Sequence, residues 1–315
     1  MQNIQFNHPM VIPAPKRCPN TVNQVDRKTI QKIVHFNTKF RDNFYNTSSS
    51  DFKYNFPIPI NNVVSMRLRS IDIPNTWYTF SERLGNNKFI IETKTRRTDL
   101  VVFEIVIPDG NYNAIQLSNY LNETYFFQSG VTNDLNFIKM TISEINLKTQ
   151  FQIVRKPPIG FYFNLKFVTP NVPHLMYSTG WLLGFRMGQY LNLKQDIESE
   201  GLFDAGGDRY IYISLEDFNK NRNDNNIIFL DNTFIDKDII AKMYLHNGKF
   251  NINIDDNDGD ANLKKREFMG PVDMKTIKIK LLDEYGNLIH LNNMDWSFAI
   301  EYEILYRKCS NNLTR

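Results

Sequence analysis

The acidic run Asp255, Asp256, Asn257, Asp258, Gly259, Asp260 is the nearest this sequence comes to a metal-binding motif. Oxygen side chains clustered around a glycine suit a calcium loop, where several oxygens converge on one hard cation and the glycine makes the sharp turn. Aligning Gly259 with that glycine puts Ile254 at the first ligand position and Lys265 at the last. Neither can ligate calcium, so the run reads as a solvated loop tip. The histidines His8, His35, His174, His246 and His290 have no cysteine or carboxylate partner at ligand spacing and read as surface or satisfied core residues. The two cysteines, Cys18 and Cys309, stand near opposite ends, which excludes a disulfide framework and suits folding in a reducing compartment. The N-x-[ST] matches at Asn46, Asn122 and Asn312 would then stay unmodified.

Reaction chemistry has no other signature. The sequence contains no phosphate-binding P-loop, no G-x-S-x-G elbow and no H-E-x-x-H pair. No catalytic, cofactor-binding or metal residue is therefore assigned, no cofactor is expected, and the chain reads as not an enzyme. The basic clusters Arg96–Arg97 and Lys264–Lys265–Arg266 sit beside expected loops and read as solvated loop charge. A formal net charge of +3 is too balanced for a chain built mainly to grip nucleic acid. Trp77, Tyr78 and Trp181 read as core aromatics rather than ligand platforms. Gly180, Gly184 and Gly188 repeat at four-residue spacing, but the apolar run is too short for a membrane helix and Arg186 interrupts it. The N-terminus lacks the charged-then-apolar layout of a signal peptide.

What remains is scaffold. In Asn61–Glu92 (NNVVSMRLRSIDIPNTWYTFSERLGNNKFIIE) the alternation puts Val64, Met66 and Leu68 on one face and Ser65, Arg67 and Arg69 on the other, a strand with one buried side. Pro74 ends it, having no N–H for a ladder. Gly85, Asn86 and Asn87 then launch a second strand, Lys88 to Lys94. Further strands are expected at KIVHFNTKF, DFKYNFPIPI, LVVFEIVI, Phe137–Ile145, Thr149–Val154, FYFNLKFV, RYIYISLEDF, TIKIKLL and WSFAIEYEILYR, with weaker ones at Ile239–Leu245 and Phe250–Ile254. A turn is expected at Glu284–Asn287. Ile115, Leu117, Tyr120, Leu121 and Tyr125 mark one short amphipathic helix. About eleven strand candidates and at most two short helices predict an all-β antiparallel sandwich or barrel. Its expected core comprises Val64, Met66, Leu68, Val102, Phe151, Ile153, Ile211, Ile213, Ile277, Ile279, Leu281, Phe298 and Ile300.

Three stretches resemble a known family. Residues 26–92, IVIPDGNYNAIQLSNYLNE (105–123) and residues 266–306 are similar to capsid proteins of giant icosahedral nucleocytoplasmic large DNA viruses, most of all to the penton and minor capsid type. The IPNT-aromatic strand end, the NN-x-F strand and the IP-x-GNY turn before a helix come in the order also found in virophage penton-like proteins. The resemblance covers most of residues 26–308 and leaves out the first residues and 219–265. It implies a single jelly roll, two four-stranded sheets packed face to face, and no catalytic residues to carry over.

Pro9, Pro13, Pro15 and Pro19 mark residues 1–28 as an extended N-terminal arm. The sandwich then spans 29–218 and 266–315, with 219–265 as a polar inserted β subregion. The resemblance implies a structural virion protein, in the first reading the homopentameric penton at fivefold vertices. The alternatives are a minor capsid or cement protein under the shell and a vertex-displayed module binding host glycans. Implied partners are further copies of the chain, the major capsid protein and other minor capsid proteins. No specific nucleic acid and no membrane insertion are implied, though an inner viral membrane could touch it. The implied location is the virion capsid, assembled in host cytoplasm. Since no ligand set has metal spacing, EDTA is expected to leave the melting temperature unchanged in a thermal scan. A drop of several degrees would make Asp255–Asp260 the first suspect.

Overall fold

The computed structural model describes residues 28–126, 128, 133–168, 174–223, 228–230, 233–235, 238–256 and 264–306. The expected arm apart from Lys28, Cys18, Cys309 and Asn257–Asp260 of the acidic run lie outside the described residues. The chain is all-β in class, and every strand pairing is antiparallel.

The chain begins with β1 (Thr29–Asn37) and the 24-residue β2 (Asp51–Pro74). It then builds β3 (Lys88–Lys94), β4 (Val101–Val106), helix α1 (Ala114–Thr124), β5 (Ile138–Ile142), β6 (Thr149–Ile153), β7 (Tyr162–Lys166), helix α2 (Thr179–Leu182), β8 (Gln189–Leu193) and β9 (Ile197–Glu198). The last third supplies β10 (Tyr210–Glu216), β11 (Ile228–Leu230), β12 (Thr233–Ile235), β13 (Ile239–Tyr244), β14 (Ile252–Asp255), β15 (Lys265–Leu282) and β16 (Ser297–Leu305).

Among the described residues sixteen strands replace the expected eleven or so, and they do not form two four-stranded sheets. One sheet of seven runs β1-β16-β2-β15-β10-β13, with β14 also on β2. The consecutive strands β3 to β9 form a four-stranded sheet, β4-β3-β7-β8, and a three-stranded sheet, β5-β6-β9; β11 and β12 pair alone. Two hydrophobic cores follow this division. The larger joins side chains from both ends of the seven-stranded sheet, Phe36 and Phe298 with Ile213 and Met243. The second is aromatic-rich, with Phe89, Phe126, Phe151, Phe163, Phe167 and Phe185 packed between the two smaller sheets. β13 and β14, from the stretch read as an insertion, hydrogen bond into the seven-stranded sheet.

Strand irregularity explains where the expected core fails. DFKYNFPIPI and the strand ending at Pro74 are one strand, β2, whose register against β15 shifts between Asn55 and Ile60, where Pro57 and Pro59 have no N–H to give. Against β16 the register skips Val64 and Arg69. The bulge at Val64 turns that side chain partly outward and buries Val63 in its place, while Met66 and Leu68 remain inside. Val102 is also misplaced: β4 has one paired neighbour among the described residues, and Val102 is 58% exposed while Ile105 faces the core. Phe151 and the partly buried Ile153 belong to the second core, not to the one around Met66.

The helix forms as its spacing predicts. Asn113 and Gln116 close a capping box, and Leu117 and Leu121 are buried. α1 also shields an edge: Asn122 accepts from the Met140 N–H and donates to its carbonyl, and Ser118 Oγ accepts from the Ile142 N–H. Asn122 is thereby committed to structure.

The basic cluster Lys264–Arg266 is a correction as well. Arg266 is buried and donates to Asp217 at 2.5 Å and to the Leu215 and Asp238 carbonyls, while Asp217 also accepts from Arg222. The buried Lys264 pairs with Asp255 at 2.7 Å, and Lys265 pairs with Glu267. A buried guanidinium stripped of its carboxylate has no solvent to replace it. Asp217→Ala is expected to destabilise the fold by about 3–5 kcal/mol in denaturant unfolding, and Asp217→Asn by less. A loss under about 1 kcal/mol for Asp217→Ala would show that Arg266 finds other partners.

Candidate functional site

A cleft of about 1050 Å³ opens where the two cores meet. Its walls come from the crossing after β2, the turn around α2, the residues leading into β10 and the hairpin after β15. The crossing is fixed by side-chain amides. Asn111 accepts from the Thr79 N–H at 2.8 Å and donates to the Trp77 carbonyl. Asn292 donates to the Thr76 carbonyl, and Thr76 Oγ1 donates to that of Leu291. The α2 turn packs close because Gly180 has no side chain; a Cβ there would lie 2.3 Å from the Phe167 ring.

Trp77, Tyr78 and Trp181, read from the sequence as core, all line this cleft. Trp77 serves in both places: it is buried in the larger core, and its Nε1 donates to Asp208 at 2.7 Å. The Lys249 ammonium lies 4.7 Å from the Trp77 ring centroid and donates to the Trp77 carbonyl. Trp181 is half-buried, with the Arg186 guanidinium 4.0 Å from its centroid. Tyr177 meets Tyr285 edge to face at 4.7 Å.

Five carboxylates, Asp109, Asp204, Asp208, Asp283 and Glu284, face three guanidinium groups, Arg83, Arg186 and Arg209, along the walls. Asp283 is buried at the hairpin and accepts from the Tyr285 and Asn287 N–H groups. Burial, with the charge of Asp208 adding to it, raises its carboxyl to about 6, against the pull of those hydrogen bonds. Burial lowers the Lys249 ammonium to about 8, opposed by Asp208. Tyr285 is pushed up to about 12, first by burial and then by Glu284 and Asp208.

Hydroxyls at the cleft serve the backbone: Ser178 Oγ donates to the Leu175 carbonyl and Thr79 Oγ1 to that of Ala205. His290 is exposed at the rim, its Nδ1 3.3 Å from Asn292 Oδ1. His35, His174 and His246 are exposed elsewhere, and His8 lies outside the described residues. Among the described residues no three His, Cys, Asp or Glu side chains gather as a metal site would need. Arg96 and Arg97 are exposed on the turn after β3. The cleft sets aromatic side chains beside carboxylates in a concave site. Sequence reasoning missed Asp208, Asp283, Glu284 and Tyr177. The turn signal at 284–287 was the one local trace of this wall.

No family model matches the chain, and no curated protein does. Among solved structures it is similar to the crystal structure of the SeMet-labeled mavirus penton protein, with 10% sequence identity, a TM-score of 0.46, and coverage of 88% of this chain and 99% of that one. A likeness at that level says nothing of what this chain does.

The raised Asp283 sets a pH dependence. Its folded-state pKa exceeds the ordinary carboxylate value, so its contribution is fully present below about pH 4 and is lost as pH rises through about 6. Unfolding free energy is expected to fall by on the order of 2 kcal/mol between those limits through this group. Asp283→Asn should flatten that part of the profile in denaturant titrations. An unchanged slope in the variant would mean that other carboxylates carry it.

Proposed function

We propose that this chain is a non-enzymatic structural protein of an icosahedral viral capsid, and within it the penton that closes the fivefold vertices. The observation that carries the reading is the use made of the resembling segments. In IPNT-W and IP-x-GNY the polar residues Thr76 and Asn111 hold the junction of the two cores, with Asn292 bonding back to Thr76. Those motifs do the work of a frame.

Open edges support contact with neighbours. β1 pairs only with β16 among the described residues, yet carries Ile30 and Ile33 half exposed. β4 likewise pairs only with β3 and exposes Val101, Val102 and Val106. Edge strands with apolar side chains invite pairing unless something covers them, and a shell supplies that cover. Head-to-tail contacts that close a ring of five would use one such surface on each side. In this reading the partners are further copies, the major capsid protein and other minor capsid proteins, and the location is the virion capsid, assembled in host cytoplasm.

Solution mass tests it. Purified full-length protein is expected to form a closed ring of five in light scattering or native mass spectrometry, and its density to occupy the fivefold axes of a particle map. Density beneath the shell and off those axes would make it a cement protein. Absence from the particle would overturn the capsid role.

A further inference from the structure

We propose that the turns after β3 and β6 together form a docking surface for a lipid bilayer with acidic headgroups. The pairing of β3 with β7 brings both turns to one end of the aromatic-rich body, with Lys94 opposite Tyr162. There the Arg96 N–H donates to the Ile159 carbonyl at 3.1 Å. Gly160, at φ +78°, comes so close that a Cβ on it would lie 3.2 Å from the Arg96 Cβ. The first turn carries Arg96 and Arg97 and the second Arg155 and Lys156, all four exposed. Lys94 closes β3, and the exposed Lys194 follows β8, whose Leu193 pairs with Phe163 at the same end. Against these six cations stand Asp99, Asp134 and Asp196. Asp134 accepts from Thr93 Oγ1 and Asp196 from the Ile153 N–H. No ion pair among the described residues uses Arg96, Arg97 or Lys156.

Charge alone would suit any polyanion, and the apolar residues set among the cations select the partner. Ile159 is 79% exposed in the second turn, and Leu100 is 45% exposed at the close of the first. Pro157 and Pro158 fix φ at two positions just before Ile159, which narrows the directions its side chain can take. Against the phosphates of a nucleic acid an isoleucine gains nothing and stays in water. At a membrane surface it enters the boundary between headgroups and acyl chains, while the long basic side chains stay level with the acidic headgroups. Attraction to acidic lipid adds up cation by cation and acts within a Debye length, about 8 Å at physiological salt. The surface needs no second copy of the chain, so the proposal does not rest on the shell reading.

Vesicle co-sedimentation of the full chain tests it. The protein is expected to pellet with phosphatidylcholine vesicles containing about one third phosphatidylserine, and to stay in solution with pure phosphatidylcholine. Added salt should release it, because the attraction is screened. Arg96→Glu with Arg97→Glu should weaken binding roughly tenfold or more, and Ile159→Asp should weaken it as well. Ile159→Trp should strengthen it and give a blue shift in emission, beyond that of the wild type, on the acidic vesicles alone. These side chains are exposed, so the melting temperature should stay where it is; if the double variant fails to fold, Lys156→Glu takes its place with a smaller loss. Equal pelleting with both vesicles, no pelleting with either, or an affinity indifferent to the Arg96, Arg97 and Ile159 changes would overturn the proposal. So would binding to duplex DNA that needs Arg96 and Arg97 but not Ile159, with none to vesicles, since phosphate recognition would then be the role of this surface. A five-membered ring that ignores acidic vesicles ends the lipid contact and leaves the shell reading standing.

Discussion

The 24-residue strand Asp51–Pro74 hydrogen bonds to three other strands, taking β15 and β14 along one side and β16 along the other. A strand that long would carry the natural twist of a sheet far past any compact core unless something bent it. Bulges at the proline pair Pro57–Pro59 and at Val64 and Arg69 interrupt the ladder, and each adds local twist. Phe36 and Met243, from opposite ends of this seven-stranded sheet, join a single core. The remaining architecture follows from where this strand ends. Pro74 stops the ladder, and the chain leaves at Trp77 to build strands β3 to β9 before returning at β10.

That departure and return create the junction. Trp77 is packed into the first core while its indole N–H reaches Asp208, on the returning chain. Asn111, from the loop that starts α1, holds both Trp77 and Thr79. Polar groups between the cores are thus largely bonded to main chain.

Polarity at the main-sheet margin obeys the same constraint. Arg266 and Asp217 are both buried, and each has several partners, because an unpaired charge there would be far costlier than the pair. The run Lys264–Arg266 looked like loop charge because a stretch of three cations carries no sign of which carboxylates will face it.

The sequence by itself determined the fold class, most strand positions and the helix. Period-two alternation, Pro74 and the helical spacing of Leu117 and Leu121 act within a few residues, and local sterics read the same in the chain and in the fold. It also determined that Met66, Leu68, Ile211, Ile277 and Ile300 are inside. The extent of β2, the exposure of Val102 and the separation into two cores were decided only by the tertiary structure. A bulge is visible only against a partner strand, an edge only when its missing neighbour is known, and a second core only when β3 to β9 pair among themselves. The cleft belongs to the same class. Asp208 and Asp283 stand 75 positions apart in the chain, and nothing short-range links them to Trp77 or Tyr177. Their meeting depends on two packed bodies closing on one crossing, and that is a property of the fold.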